Sequence, residues 1–322
     1  MSPSYAAFRR AIREAGLELN DGRRATSGDS RVVHIAATAT TIRVVDEDEL
    51  IERDAHAMIK SEAVHSKLKP DLGGWTGGTV WEASLALSRL LVAQPAQFWQ
   101  QRRVVELGCG CGLVGLVAAA LGAQEVILTD QVIFVAEHNL QHAGLPLEAQ
   151  ARTRVAKLKW GDAADAAALL SGGGAFDLLL GSDIMYSPLQ HRALAETVVG
   201  LTDVGSEVLW ATRDGSPTAE AHTAGGSSSG GGGGSSSGGG SSSSSSGGSS
   251  SSREFSFYRR LEAAGFSVID LTVTDELVAQ VLRELKEQFG AGEWGESGRG
   301  ALCIVRMVRH ALRGAHTPAA AL

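Results

Sequence analysis

Two side chains just past an apolar run could do chemistry together. FDLLLG (176–181) is β-strand-like and of the fully buried type, and it runs into Ser182-Asp183-Ile184-Met185-Tyr186. A carboxylate and a phenol therefore stand three residues apart at a strand end. The carboxylate of Asp183 can accept hydrogen bonds from an incoming amine while the phenol of Tyr186 packs against its alkyl stem. The competing use is structural: Asp183 caps the next helix and Tyr186 packs. Pro188 makes Ser187 the better cap, which favours the chemical use. Upstream, VVELGCGCGLVGLVAAALGAQEVILTD (104–130) supplies Gly108, Gly110, Gly112 and Gly115 between an apolar strand and a helix. Glycines there let backbone approach a ligand, and the helix N-terminus offers free N–H groups. Asp130 follows Gly110 by about 20 residues, the spacing at which an acidic side chain meets a ribose. These features describe a site for a nucleoside-containing cofactor beside a site for an amine.

The elements that must position these residues alternate between strand and helix. Strands are expected at 104–107, 125–130, 154–158, 176–181 and 207–212, with helices at 113–121, 132–143, 163–170 and 189–201. After residue 252, a helix at 255–264 and one at 277–289 flank segments 266–273 and 302–308, which should pair as antiparallel strands. The fold expected is α/β: a Rossmann-like, seven-stranded, mostly parallel sheet with helices on both faces and a C-terminal antiparallel strand pair. In such a sheet ligands sit outside the carboxyl ends of the strands, and the glycine turn, Asp130, Lys159-Trp160-Gly161-Asp162 and Asp183–Tyr186 all fall there. Before the domain, residues 31–45 read as a hairpin, 46–52 as an acidic solvated face and 52–69 as a helix ended by Pro70. Thr79 and Glu82 have capping-box spacing ahead of WEASLALSRLLV. The domain division expected is an N-terminal extension over 1–70 and a catalytic domain over 71–322. That domain is interrupted by a disordered Gly/Ser insertion at about 215–252, whose core is Gly and Ser only from Gly225 to Ser252.

The totals narrow the function. The 322 residues carry 29 Lys and Arg against 36 Asp and Glu, a net charge of −7, with no dense basic run, which disfavours a nucleic-acid partner. Three cysteines do not make a disulfide framework, and neither the Cys109-x-Cys111 pair nor His138 and His142 has a further metal ligand at suitable spacing, so no metal is expected. No apolar run is long enough to span a bilayer, and SPSYAAFRRAIREAG reads as a packing helix rather than a leader, so the expected location is cytoplasmic, with a nuclear or organellar one as the alternatives. A dinucleotide-dependent oxidoreductase would need its third glycine where Leu113 stands, and the sequence has no Tyr-x-x-x-Lys pair.

With these residues in view, ELGCGCG resembles motif I of class I S-adenosylmethionine-dependent methyltransferases. TVWEASLALSRLL, ILTD, LKWGD and GSDIMY follow that family's order. The combination is similar to the seven-β-strand protein-lysine methyltransferases of the Asp-x-x-Tyr type, methyltransferase family 16. The resemblance covers about residues 74–213 and, more thinly, 255–309. It implies S-adenosyl-L-methionine as cofactor, with Trp81 against it, Gly108, Cys109 and Gly110 around its methionine moiety, Asp130 on the ribose, Trp160 beside the adenine and Ser182 at the sulfonium. It implies Asp183 and Tyr186 as the catalytic pair that orients a lysine ε-amine. The implied partner is a protein presenting that lysine, of the chaperone, AAA ATPase or elongation-factor type, with the enzyme a monomer. Two alternatives stay open: a methyltransferase acting on a nucleic-acid base or small metabolite, and a cofactor-binding scaffold without catalysis. Asp/Asn-Pro-Pro-Tyr sites act on planar nitrogens, but here Ile184 and Met185 replace the prolines.

Overall fold

The computed structural model describes residues 31–65, 76–213, 251–289 and 302–312. The expected N-terminal packing helix and all but the last two residues of the Gly/Ser insertion lie outside them, and those two, Ser251 and Ser252, begin a helix. β-branched residues form an antiparallel hairpin, β1 (Val32–Ile35) and β2 (Thr40–Arg43), with Val33, Ile35 and Ile42 buried. Next come α1 (Glu47–Arg53) and α2 (Ala55–His65). The single helix expected over 52–69 is broken at Asp54, whose Oδ1 accepts a hydrogen bond from the His56 backbone N–H at 2.8 Å and so starts a second helix. The acidic run is not simply a solvated face. Asp46 caps α1 through the Glu49 N–H, Glu47 is buried, and Glu49 pairs with Arg31 at 2.6 Å and with Arg53 at 2.7 Å.

The main body alternates as its apolar pattern requires. α3 (Glu82–Val92) and the single turn α4 (Ala96–Trp99) lead to β3 (Arg103–Leu107), α5 (Leu113–Ala120) and β4 (Glu125–Asp130). α6 (Phe134–His142), α7 (Leu147–Ala151), β5 (Thr153–Lys157), α8 (Ala163–Leu170) and β6 (Leu178–Ser182) follow. The chain continues through α9 (His191–Leu201), β7 (Glu207–Thr212), α10 (Ser251–Ala263), β8 (Phe266–Asp270), α11 (Leu271–Thr274), α12 (Glu276–Phe289) and β9 (Cys303–Arg309). The sheet has seven strands in the order β5-β4-β3-β6-β7-β9-β8, and β3 to β7 run parallel. β9 is antiparallel to both β7 and β8, as the C-terminal pattern led one to expect.

Strand side chains alternate between two cores. Val104, Leu178, Leu180 and Leu209 pack on one face with Leu87 of α3, Leu116 of α5 and the hairpin. Val105, Leu179, Val208 and Trp210 pack on the other with Leu194 of α9 and Phe257 of α10. Each side chain so buried contributes roughly 1.5–3 kcal/mol from removal of apolar surface from water. Chain order reverses between β3 and β6, so a crevice opens at their carboxyl ends.

Two local expectations fail for physical reasons. The Thr79–Glu82 capping box does not form: α3 starts after Trp81, without a side-chain cap, and Glu82 instead pairs with the buried Arg213 at 2.7 Å. The strand expected over 266–273 stops at Asp270, whose Oδ1 accepts from the Thr272 N–H at 3.0 Å and turns the chain into α11.

Candidate active site

The glycine turn is shaped by close approaches. Gly108 has φ +61°, and a Cβ there would lie 2.7 Å from the Ile184 side chain and 3.2 Å from the Trp160 ring. Gly110 has φ +52°, and a Cβ there would lie 2.5 Å from the Gly77 carbonyl oxygen. Both positions demand left-handed backbone with no room for a side chain, so no other residue fits without strain. The turn is pinned from several sides. Cys109 N–H donates to the Thr129 carbonyl at 2.9 Å, and Cys111 Sγ lies 3.5 Å from the Gly77 oxygen. Gly110 N–H donates to Asp130 Oδ2 at 3.0 Å, and Asp130 Oδ1 accepts from Val132 N–H at 3.0 Å. Asp130 thus stands at the end of β4 in a fixed orientation. A carboxylate oxygen accepts more than one hydrogen bond, so it can also meet hydroxyl donors.

Beneath the turn lies Glu106, 1 % exposed, whose Oε2 accepts from Gly115 N–H at 2.8 Å. Burial, reinforced by the neighbouring Asp130 charge and opposed by that hydrogen bond, pushes its carboxyl up to about 8. Burial and then nearby carboxylates also hold the Cys109 and Cys111 thiols well above their ordinary range, so neither is a thiolate nucleophile. Asn139 of α6 braces the outer side. Its Nδ2 donates to the Cys111 and Val45 carbonyls at 2.9 Å each, while its Oδ1 accepts from Val45 N–H at 2.9 Å. The hairpin segment is thereby tied to the glycine turn.

The Asp-x-x-Tyr spacing has a clear structural origin. Ile184 and Met185 are buried, 5 % and 1 % exposed, and anchor the loop after β6. The buried His191 holds the Met185 carbonyl oxygen through Nε2 at 3.0 Å. With the middle pair turned inward, Asp183 and Tyr186 both line the crevice. Asp183 N–H donates to the Ala211 carbonyl at 2.9 Å, and Asp183 has φ +52°, a left-handed conformation that non-glycine residues adopt at a cost and that clusters at functional sites. Tyr186 is 47 % exposed, and burial of the remainder pushes its phenol upward, so it is a neutral O–H near pH 7. On the facing wall, the Trp81 indole N–H donates to the Thr76 carbonyl at 3.1 Å, and Ser84 Oγ lies 2.9 Å from Ser182 Oγ.

Trp81, Gly108, Cys109, Gly110, Asp130, Trp160, Ser182, Asp183 and Tyr186 all line one cleft, which encloses about 1030 Å³ including its open mouth. Ser84, Glu106, Asn139, His191 and the Gly77 carbonyl were not singled out in the sequence. Ser84 alone carried a usable signal, lying three residues after Trp81 in the first turn of the helix that Trp81 precedes. The rest become visible only when separate strands and loops are brought together. Among the described residues, no group of three or more His, Cys, Asp or Glu could hold a metal ion.

Residues 60–222 match the model of a family described as lysine methyltransferase. Protein N-lysine methyltransferase METTL21A of Danio rerio is 36% identical over 136 residues, which are 42% of this chain and 59% of that protein. Protein N-terminal and lysine N-methyltransferase EFM7 of Cryptococcus neoformans is 35% identical over 126 residues, 38% of this chain and 42% of that protein. The chain spans about half the length of the curated relatives it matches. Among solved structures, the methyltransferase domain of bacterial CtHen1 is 14% identical, with 70% of this chain and 97% of that domain aligned at a TM-score of 0.40. S-adenosylmethionine is the cofactor of this kind of site, and the cleft suits it. Two glycines let the turn pack closely against Ile184, Trp160 and the Gly77 carbonyl along the cleft, a fixed carboxylate stands at the end of β4, and two indoles border the same space. With its sheet order, its glycine turn and half its length matched by the family model, this chain belongs to the lysine methyltransferase family.

Proposed function

We propose that this chain transfers a methyl group to the ε-amine of a lysine in a protein substrate. The reading is carried by one juxtaposition: the Asp183–Tyr186 pair lines the same cleft as the glycine turn and Asp130. In this reading Gly108, Cys109 and Gly110 surround the methionine portion of the cofactor, with Trp81 against it and Ser182 at the sulfonium. Asp130 receives the ribose hydroxyls, and Trp160 lies beside the adenine. Bound S-adenosylmethionine supplies an electrophilic methyl on a positively charged sulfur.

The protein's task follows from the amine. A lysine ε-amine has a reference pKa of about 10.4 and is almost wholly protonated near neutrality, so its lone pair must be freed. Burial of the amine in the cleft favours the neutral form, whereas the Asp183 carboxylate favours the charged one. Asp183 therefore acts mainly as an orienter, accepting an N–H so that the lone pair is aimed. Tyr186, a neutral phenol with half its surface at the cleft mouth, walls the lysine stem. Alignment of nucleophile and acceptor then supplies most of the acceleration.

The substrate is a protein of the chaperone, AAA ATPase or elongation-factor type, and the enzyme acts as a cytoplasmic monomer. The relatives' names, protein N-lysine methyltransferase and N-terminal and lysine N-methyltransferase, support a protein amine as acceptor. Asp183→Asn and Tyr186→Phe test the roles. Asp183→Asn should retain binding of S-adenosylhomocysteine within about threefold by calorimetry while turnover falls by roughly 10- to 100-fold, the scale of losing one charged hydrogen bond of about 1.5–3 kcal/mol, whereas Tyr186→Phe keeps the ring that walls the stem and should change turnover by less than about threefold. Near-normal turnover in Asp183→Asn would show that other residues handle the amine.

A further inference from the structure

The Ser84–Ser182 hydroxyl pair has no part in the mechanism above beyond the place of Ser182 in the cofactor wall, yet it lines the same cleft as Asp183 and Tyr186. Ser84 reaches in from α3, one turn after Trp81, and Ser182 is the last residue of β6, directly before Asp183. Their oxygens are 2.9 Å apart, Ser182 is 8 % exposed, and both line the cleft shared with Asp183 and Tyr186. Two hydroxyls bonded to each other use one O–H between them. The pair therefore presents oxygen lone pairs and one further O–H to the space beside the carboxylate.

We propose that this hydroxyl pair limits the number of methyl groups the enzyme places on one lysine, so that the chain stops at the monomethyl or dimethyl state. The proposal rests on the lysine-methyltransferase reading. The neutral amine that attacks has two N–H groups and one lone pair. With the lone pair committed to the incoming methyl, the two N–H groups need acceptors, and Asp183 supplies one. The hydroxyl pair supplies the next. Each transfer forms an N–C bond and breaks the S–C bond, the electron pair of that bond staying on sulfur, and the ammonium product then loses a proton to solvent water. Each turnover thus replaces an N–H by an N–CH₃. A methyl facing the hydroxyl pair cannot donate to it and displaces whatever water or N–H satisfied its oxygens. A buried polar group stripped of its partner costs about 1–3 kcal/mol, a discrimination of roughly 5- to 150-fold against each added methyl. A wall of alanines at the same two positions would present methyl groups to methyl groups and impose no such penalty.

The test counts new methyl groups directly. The purified chain and its Ser84→Ala and Ser84→Ala/Ser182→Ala variants are incubated with trideuteromethyl S-adenosylmethionine and a host-cell extract. Labelled lysines are then resolved by mass into one, two or three transferred groups. Binding of S-adenosylhomocysteine is measured for each protein by calorimetry, so that a lost cofactor site is told apart from an altered product. The expected result is mono- or dimethyl-lysine from the parent chain. The ratio of higher to lower states should rise at least tenfold in Ser84→Ala and further in the double variant. Trimethyl-lysine as the main product of the parent chain, or an unchanged ratio in both variants, overturns the proposal alone. No deuterated lysine from the parent chain overturns the underlying reading and the proposal with it.

Discussion

Replacing Glu106 with Gln should change how the stability of this protein depends on pH, in a predictable direction. Glu106 is 1 % exposed, its Oε2 accepts from Gly115 N–H at 2.8 Å, and its carboxyl is raised from 4.5 to about 8. An acid whose folded pKa lies above its unfolded pKa binds its proton more tightly in the folded state. Stability is therefore greatest below about 4.5 and falls as pH rises toward 8, where the folded protein must also ionise the buried group. At 1.36 kcal/mol per unit, the difference amounts to roughly 4–5 kcal/mol between acid and pH 9, an upper limit because a buried site relaxes on ionisation. Gln keeps a carbonyl oxygen for Gly115 N–H and cannot ionise. Urea unfolding at pH 5.5, 7 and 9 should show Glu106→Gln gaining on the parent chain with each step, by about 2 kcal/mol or more between pH 5.5 and 9. Other titrating groups cancel in the comparison. Parallel stability profiles would refute the claim that Glu106 is neutral beneath the glycine turn.

The other predictions concern the cofactor wall and the opposite end of the strands. Asp130→Asn leaves one oxygen to serve Gly110 N–H or Val132 N–H but removes the charge. S-adenosylhomocysteine affinity should fall by about 10- to 100-fold, the scale of a charged hydrogen bond of roughly 1.5–3 kcal/mol, read by calorimetry. Gly110→Ala places a Cβ 2.5 Å from the Gly77 oxygen at φ +52°. Cofactor binding should be lost and the thermal midpoint lowered, with destabilisation of about 1–3 kcal/mol. Burial alone would raise the Glu207 carboxyl, but hydrogen bonds and charge from Arg102 and Arg306 outweigh it and leave it below its ordinary value. Its contribution is present above about 4.5 and lost as pH falls through the depressed folded value, so Glu207→Gln should flatten the acid limb of the stability profile in thermal melts.

Much of the site was legible because it lies close to strand ends whose type the sequence announces. Val104 and Val105, the glycine cluster and the apolar helix after it read directly as a β-α-β unit, and Asp130 follows from spacing. Asp183 and Tyr186 stood out because a buried-type strand ran straight into them. What stayed hidden depends on long-range approach. The need for Gly110 is set by the Gly77 carbonyl, which belongs to a different loop, and the burial of Glu106 is set by β4 and α5 closing over it. Local rules failed where a distant partner won: Glu82 went to Arg213 rather than into a capping box, and Asp54 and Asp270 took backbone N–H groups that redirected the chain. The acidic stretch around Glu47 looked solvent-facing because composition alone does not reveal that Glu47 N–H donates to the Gly78 carbonyl at 2.7 Å, which draws that residue against the loop before α3.

The central claim is that a lysine nitrogen accepts the methyl group. The purified chain should be incubated with S-adenosylmethionine labelled in its methyl group and with host-cell extract, and the acid-hydrolysed protein fraction resolved by amino-acid analysis. Label should co-migrate with methyl-lysine and fall by roughly 10- to 100-fold in initial rate with the Asp183→Asn variant. Label confined to nucleic acid or small metabolites, with none in methyl-lysine, would contradict it.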